Sequence, residues 1–251
     1  MDLGLKGKVA LVTAASRGIG QAIARQLVDE DAVVAVSART PIEAEGQTSY
    51  PTDLLDDKAV ERLIPDVIAA HGALDILVVN TPGPKIAPVL DFGPTDWDTA
   101  YAQLVRPAVQ LATAGARAMA AHGGGSILFL TSTWVKQPAP GGALSASMRS
   151  LLSALAKQMS LELAEQGVRV NQLMPGATGT DRMEDIVAAK SVANGTTRED
   201  EIARVVSAIP LGRWAEPEEI ARAAAYLVSP AAAFVTGETL AVDGGAIRST
   251  L

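Results

Sequence analysis

The strongest chemical signal in the chain is the stretch Thr13-Ala14-Ala15-Ser16-Arg17-Gly18-Ile19-Gly20, between the apolar run KVALV and the helical pattern QAIARQL. Glycines at 18 and 20 let the backbone approach a ligand closely. The first N–H groups of a helix lack intrahelical partners, so this turn is expected to hold a pyrophosphate. Other chemistries have less material. The chain has no Cys, which removes disulfides, thiolate ligands and Cys nucleophiles. Its two His, His71 and His122, each precede Gly at what reads as a helix end, and no catalytic metal is expected.

The composition limits the partners. Of 251 residues, 48% are hydrophobic and only 4% aromatic, so the core must be built from Ala, Val, Leu and Ile. A net charge of −7 argues against nucleic acid or an anionic membrane as ligand, while leaving room for a local basic pocket. No apolar run approaches the roughly 20 residues of a membrane span. The N-terminal stretch reaches Gly-rich turn chemistry too soon for a secretory apolar region. The chain reads as soluble, and the missing Cys fits a cytoplasmic protein.

Short apolar runs alternate with helical patterns. Residues 8–14, 32–38, 74–80, 125–132, 168–175 and 239–245 read as strands covered on both faces. Met148, Leu151, Leu152, Leu155, Met159 and Leu163 recur at helical spacing, with Gly167 after the last turn. A further helix starts near Pro217, followed by two Glu that favour its positive end. Repeated strand–helix units predict an α/β fold. Specifically, this is a Rossmann-type doubly wound parallel sheet of about seven strands, with helices on both faces, in one domain spanning 1–251. Residues 181–210 break the rhythm. An insertion after a late strand falls at the ligand-binding edge, so the segment is read as a mobile substrate lid. An ordinary surface excursion is the alternative.

With these elements in order, the chain resembles the short-chain dehydrogenase/reductase family over essentially its whole length. The family's TGxxxGxG turn reads TAASRGIG here, with Ala14 in place of the first Gly. Ala14 is expected at negative φ, where a Cβ costs little. Further marks follow in order: Asp53 and Leu54 in PTDLL, Asn80 in VVNTPG, PGATGT at 175–180, PLGRWAEPEEIA at 210–221 and VTGETLAVDGG at 235–245. The resemblance implies a dinucleotide held by Thr13, Ser16, Arg17, Gly18, Ile19, Gly20, Arg39, Asp53, Leu54, Asn80, Arg149, Pro175, Gly176, Thr178 and Thr180. NAD-preferring relatives end the second strand with an acid for the ribose 2′-hydroxyl. Here Ala38 stands in that place with Arg39 next, and Arg17 lies in the glycine turn. Two guanidinium groups and no carboxylate favour a 2′-phosphate, hence NADP(H) over NAD(H).

The family reduces carbonyls or oxidises alcohols with an Asn, a Ser and a Tyr-x-x-x-Lys pair. Counting from Asn171 and Trp97 places these positions at Leu104, Ser132, Ser145 and Arg149, so only Ser132 is retained. Arg149 can still offer positive charge and N–H groups to ribose oxygens, but it cannot shuttle protons. Ser145 is a far weaker acid than Tyr and would act through a water. Loss of a general acid removes about 10²–10⁴-fold in rate. Ser132, Ser145 and Arg149 remain the candidate catalytic residues. Tyr101, one turn before Leu104, could lean into the pocket or simply pack its helix. Trp134 and Lys136 could bind substrate or be solvated loop residues.

The NT-x-GP turn and the S-x-x-x-R pair resemble a divergent, β-ketoacyl-reductase-like subgroup with a degenerate tetrad. The expected activity is NADP(H)-dependent oxidation or reduction of a small carbonyl or alcohol by an altered proton path. Two alternatives stay open: an NADP(H)-binding sensor or structural subunit without turnover, and a non-redox enzyme on the same scaffold. Relatives assemble through the helices matching 108–121 and the one carrying Arg149, so a homotetramer, or a homodimer, is expected.

Overall fold

Val9–Val12, buried at every position, form β1 near the middle of a seven-stranded parallel sheet. The other strands are β2 (Val33–Ala38), β3 (Gln47–Pro51), β4 (Ile76–Val79), β5 (Gly125–Leu130), β6 (Val168–Pro175) and β7 (Thr239–Val242). The computed structural model describes residues 2–250; Met1 and Leu251, the outermost positions of the expected 1–251 domain, lie outside the described residues. Strand order is β3-β2-β1-β4-β5-β6-β7, with every pairing parallel. The six runs read as strands are all present, each within its expected span. The seventh strand, β3, was not among them: QTSYP is polar and only partly buried, because it lies at the sheet edge and pairs with β2 alone.

Among the described residues eight α-helices connect and flank the strands: α1 (Gly18–Asp29), α2 (Asp57–His71), α3 (Pro94–Ala100), α4 (Arg106–Ala121), α5 (Ala143–Leu163), α6 (Asp181–Asn194), α7 (Arg198–Ser207) and α8 (Pro217–Val228). Successive strand residues point to opposite layers. Ala10 and Val12 join Ile23 and Leu27 of α1 and Ile220 and Ala224 of α8. Val9 and Leu11 join residues of α2, α4 and α5 on the other face, including Leu63, Leu111 and Leu152. Helix boundaries follow local chemistry. Asp56 caps α2 by accepting from Lys58 and Ala59 N–H. Gly167, at φ +75°, reverses the chain one tight turn after α5.

After β3 the chain crosses to the far side of β1 and continues as β4. Connections leaving β1 and β4 therefore diverge to opposite faces, which opens a crevice at their carboxyl ends. This crevice positions the site.

Candidate functional site

A cleft of about 880 Å³ occupies that crevice. Its first wall is the turn between β1 and α1. Arg17 precedes α1 in extended backbone and supplies no side-chain cap, and the helix's first turn contains no acid. Among the described residues, the N–H groups of Gly18, Ile19 and Gly20 have no hydrogen-bond acceptor, and all three residues line the cleft. Gly18 sits at φ +58°, and a Cβ on Gly20 would come within 2.7 Å of the Ala14 carbonyl and 2.8 Å of Asn80 Nδ2. Open N–H groups at a close-packed glycine turn fit a diphosphate.

Ala14 departs from expectation: its φ is +48°, not negative. Neighbouring bonds impose the conformation. Thr13 N–H donates to the Val78 carbonyl, Ala15 N–H to the Ser37 carbonyl, and Asn80 Nδ2 to the Ala14 carbonyl at 3.2 Å. The turn keeps its shape with an L side chain in the left-handed region, at a strain of about 1–2 kcal/mol.

Most residues expected at the nucleotide line the cleft: Ser16, Arg17, Gly18, Ile19, Gly20, Arg39, Asp53, Leu54, Asn80, Arg149, Pro175, Gly176 and Thr180. Two do not. Thr13 is fully buried behind the wall, its hydroxyl donating to the Asn80 carbonyl at 2.7 Å and accepting from Asn80 N–H at 3.0 Å. Thr178 is buried where its backbone bridges to Ala215, its hydroxyl turned to the Gly176 carbonyl. Direct contact was expected of both. Instead each shapes the wall from behind, because its hydroxyl is already committed to backbone.

Ser132 follows β5, and its Oγ accepts from Trp134 N–H at 3.2 Å. Ser145 and Arg149 are four residues apart on α5 and so share one face, which lines the cleft. Both are 8% exposed. Arg149 Nη1 donates to the Leu130 carbonyl at 2.7 Å. Burial, reinforced by repulsion from Arg182, pushes the Arg149 guanidinium down to about 10. It stays cationic near neutrality.

The Asn position behaves differently. Residues Tyr101–Val105 form a π-helical turn between α3 and α4, of the kind that re-aims side chains near functional sites. Leu104 is fully buried in the apolar layer, and its neighbour Gln103 lines the cleft. Tyr101 is exposed and outside the cleft wall, as is Lys136, whereas Trp134 lines it. His71 ends α2 with Nε2 at 3.1 Å from the Tyr50 hydroxyl, and His122 follows α4, so both are helix-terminal.

The 181–210 segment folds as α6 and α7 joined at Gly195, and it covers the cleft with Met183, Ile186, Val205 and Ile209. It is tied down at two points. Arg17 Nη1 meets Asp181 Oδ2 at 3.1 Å, and Arg182 Nη2 donates to the Pro84 carbonyl. Arg182, Gln103 and Lys190 are cleft residues that motif spacing does not reveal. The lining carries five cations (Arg17, Arg39, Arg149, Arg182, Lys190) and three carboxylates (Asp53, Asp181, Asp185), so this acidic chain contains a locally basic pocket.

A family model described as enoyl-(acyl carrier protein) reductase matches residues 13–246. The chain is 35% identical over 254 residues to an uncharacterized oxidoreductase of Mycobacterium tuberculosis (strain CDC 1551 / Oshkosh), covering 96% of this chain and 92% of that protein. It is 31% identical to the 3-oxoacyl-[acyl-carrier-protein] reductase of Vibrio harveyi, over 97% and 98% of the respective chains. L-sorbose reductase from Gluconobacter frateurii, solved with NADPH and L-sorbose, superposes at a TM-score of 0.91 and 26% identity, over 99% of this chain and 100% of that one. Matches of this extent, running from the glycine turn to beyond the last strand, make the chain a member of the short-chain dehydrogenase/reductase family of oxidoreductases.

Proposed function

We propose that the protein is an NADP(H)-dependent oxidoreductase acting on a small carbonyl or alcohol through an altered proton path. The observation that carries this reading is the open start of α1: the unpartnered N–H groups of Gly18, Ile19 and Gly20 face the same cleft as Ser132, Ser145 and Arg149. The glycine turn would hold the diphosphate, with Asn80, Pro175, Gly176 and Thr180 along the rest of the dinucleotide. Asp53 and Leu54 would flank the adenine end. Ala38 and Arg39 at the end of β2, with no acid there, support the 2′-phosphate form, and Arg17 adds a second guanidinium.

When bound, the nicotinamide supplies or accepts the hydride. Ser132 would position the substrate oxygen, and Arg149 would steady ribose oxygens and the charge that develops beside it. Ser145 would relay a proton from water, since its own hydroxyl is too weak an acid to replace a phenol. The lid would move to admit substrate and exclude bulk water. We also propose a cytoplasmic homotetramer, supported by the exposed Leu151 and Leu161 on α5; light scattering of the purified chain checks it.

The same substitutions at 104, 145 and 149 favour a second reading, a nucleotide-binding protein without turnover. Fluorescence titration with NADPH and NADH tests the premise common to both: NADPH is expected to bind more tightly, and binding of neither nucleotide defeats both. A Ser145→Tyr, Arg149→Lys double variant separates them. If a reductase activity of the parent disappears, the altered pair is catalytic; if the variant gains an activity the parent lacks, the parent binds without turnover.

A further inference from the structure

We propose that Arg149 and Arg182 form an anion clamp in the substrate half of the cleft, and that the substrate is a short oxo acid held by its carboxylate. This rests on the oxidoreductase reading above for its chemistry, though not for the binding itself. Arg149 is 8% exposed, and among the described residues it has no carboxylate partner. A guanidinium carries five N–H donors, and only one bond, to the Leu130 carbonyl, is made here. Its remaining donors open onto the cleft, where ribose hydroxyls can take some of them and an anion can neutralise the charge.

Arg182 is the second cation. It extends from the first turn of α6 across the cleft to the Pro84 carbonyl, close enough to Gly83 that an added Cβ would lie 3.0 Å from its Nε. It also makes no ion pair among the described residues: the adjacent Asp181 is engaged by Arg17. Both guanidinium groups line the same cleft, and repulsion from Arg182 adds to the burial that lowers Arg149. Two like charges in one cleft lining, each bonded to a backbone carbonyl and neither to an acid, offer a receptor for a planar anion.

The cofactor's own phosphates belong elsewhere. The open N–H groups lie beyond β1, whereas Leu130 ends β5, two strands away and so about 10 Å distant. Arg39 lies farther off, on the other side of β1, at the end of β2. Next to the clamp, Ile86, Trp134, Ile186 and Ile209 provide an apolar wall suited to a short carbon chain.

The clamp also bears on the missing phenol. In reduction of an oxo acid, hydride adds to the carbonyl carbon and the C=O π pair moves to oxygen. That oxygen takes a proton from water through Ser145, giving the hydroxy acid, the oxidised nicotinamide and a hydroxide that solvent neutralises. A guanidinium beside the developing alkoxide lowers its basicity, so water suffices as acid.

Calorimetry of the full chain with oxamate, a non-reducible oxo-acid mimic, and with neutral oxamide tests the clamp with and without NADPH. Oxamate is expected to bind at least about tenfold more tightly than oxamide, and Arg182→Gln to weaken oxamate by about 10- to 100-fold. NADPH affinity should change by less than about threefold in that variant. Arg182 is exposed, so the variant is expected to fold, and an unchanged melting temperature verifies it. Equal binding of the two probes, binding of neither, or a loss confined to NADPH overturns the proposal. Oxamate binding with no oxo acid reduced by NADPH would overturn the oxo-acid substrate, whereas oxamate binding without any NADPH binding would sink the oxidoreductase reading alone and leave the anion clamp standing.

Discussion

Arg17 of the glycine turn and Asp181, the first residue of α6, form an ion pair at 3.1 Å although 164 residues separate them. The bond ties the candidate lid to the nucleotide cradle. Both side chains are 68% exposed, so the pair contributes at most about 1 kcal/mol. A 2′-phosphate would compete with Asp181 for the same guanidinium. Asp181→Asn is therefore expected to tighten NADPH by up to about fivefold, and Arg17→Ala to weaken it by about 10- to 100-fold with little effect on NADH. Parallel fluorescence titrations decide this; equal losses for both nucleotides would remove Arg17 from 2′-phosphate recognition.

Ala14 provides a stability test. Its φ of +48° places a Cβ in the left-handed region, where a glycine is unstrained. Ala14→Gly removes about 1–2 kcal/mol of strain and returns about 0.4–1 kcal/mol through a freer unfolded chain. The net gain should raise the melting temperature by about 1–4 °C, read by calorimetry. A lower melting temperature would show that the backbone strain is not felt.

Under the proposed NADP(H) reading, the end of β2 sets nucleotide choice through one small side chain. Ala38 lines the cleft and leaves room for Arg39 to meet a phosphate. A carboxylate there would repel the 2′-phosphate and accept from a 2′-hydroxyl. Ala38→Asp is expected to weaken NADPH by about 100-fold and to tighten NADH. An unaltered NADPH:NADH ratio would place the discrimination elsewhere.

Acid should act on the start of α8. The Arg213 fork on Glu219, at 2.6 and 2.7 Å, and then the Glu216 N–H hold the Glu219 carboxyl down to about 2. A carboxyl depressed in the folded state stabilises above its ordinary value of 4.5, and that contribution is lost as pH falls toward 2. Glu219→Gln should therefore melt below the parent at pH 6, with the gap closing as pH falls through that window. A constant gap would assign the difference to packing.

Much of the architecture was legible along the chain. Each of the six apolar runs became a strand because burial on both faces requires nearly continuous Val, Leu, Ile and Ala. The glycine turn was equally plain, since close backbone approach admits few residue types. β3 was hidden because an edge strand with partial burial carries no apolar signature.

The sequence alone determined the six buried strands and the glycine turn, because these follow from local periodicity and spacing, and its ordered motifs carried the resemblance to the family. Tertiary structure decided what those groups meet. Thr13 and Thr178 turned to backbone, the π-helical turn exposed Gln103 to the cleft and buried Leu104, and Ala14 was forced to positive φ by bonds from β2 and β4. Arg182 reached Pro84 across 98 residues and joined Arg149 in the cleft lining. No local pattern encodes such meetings, since they arise only when the carboxyl ends of β4, β5 and β6 converge on one crevice.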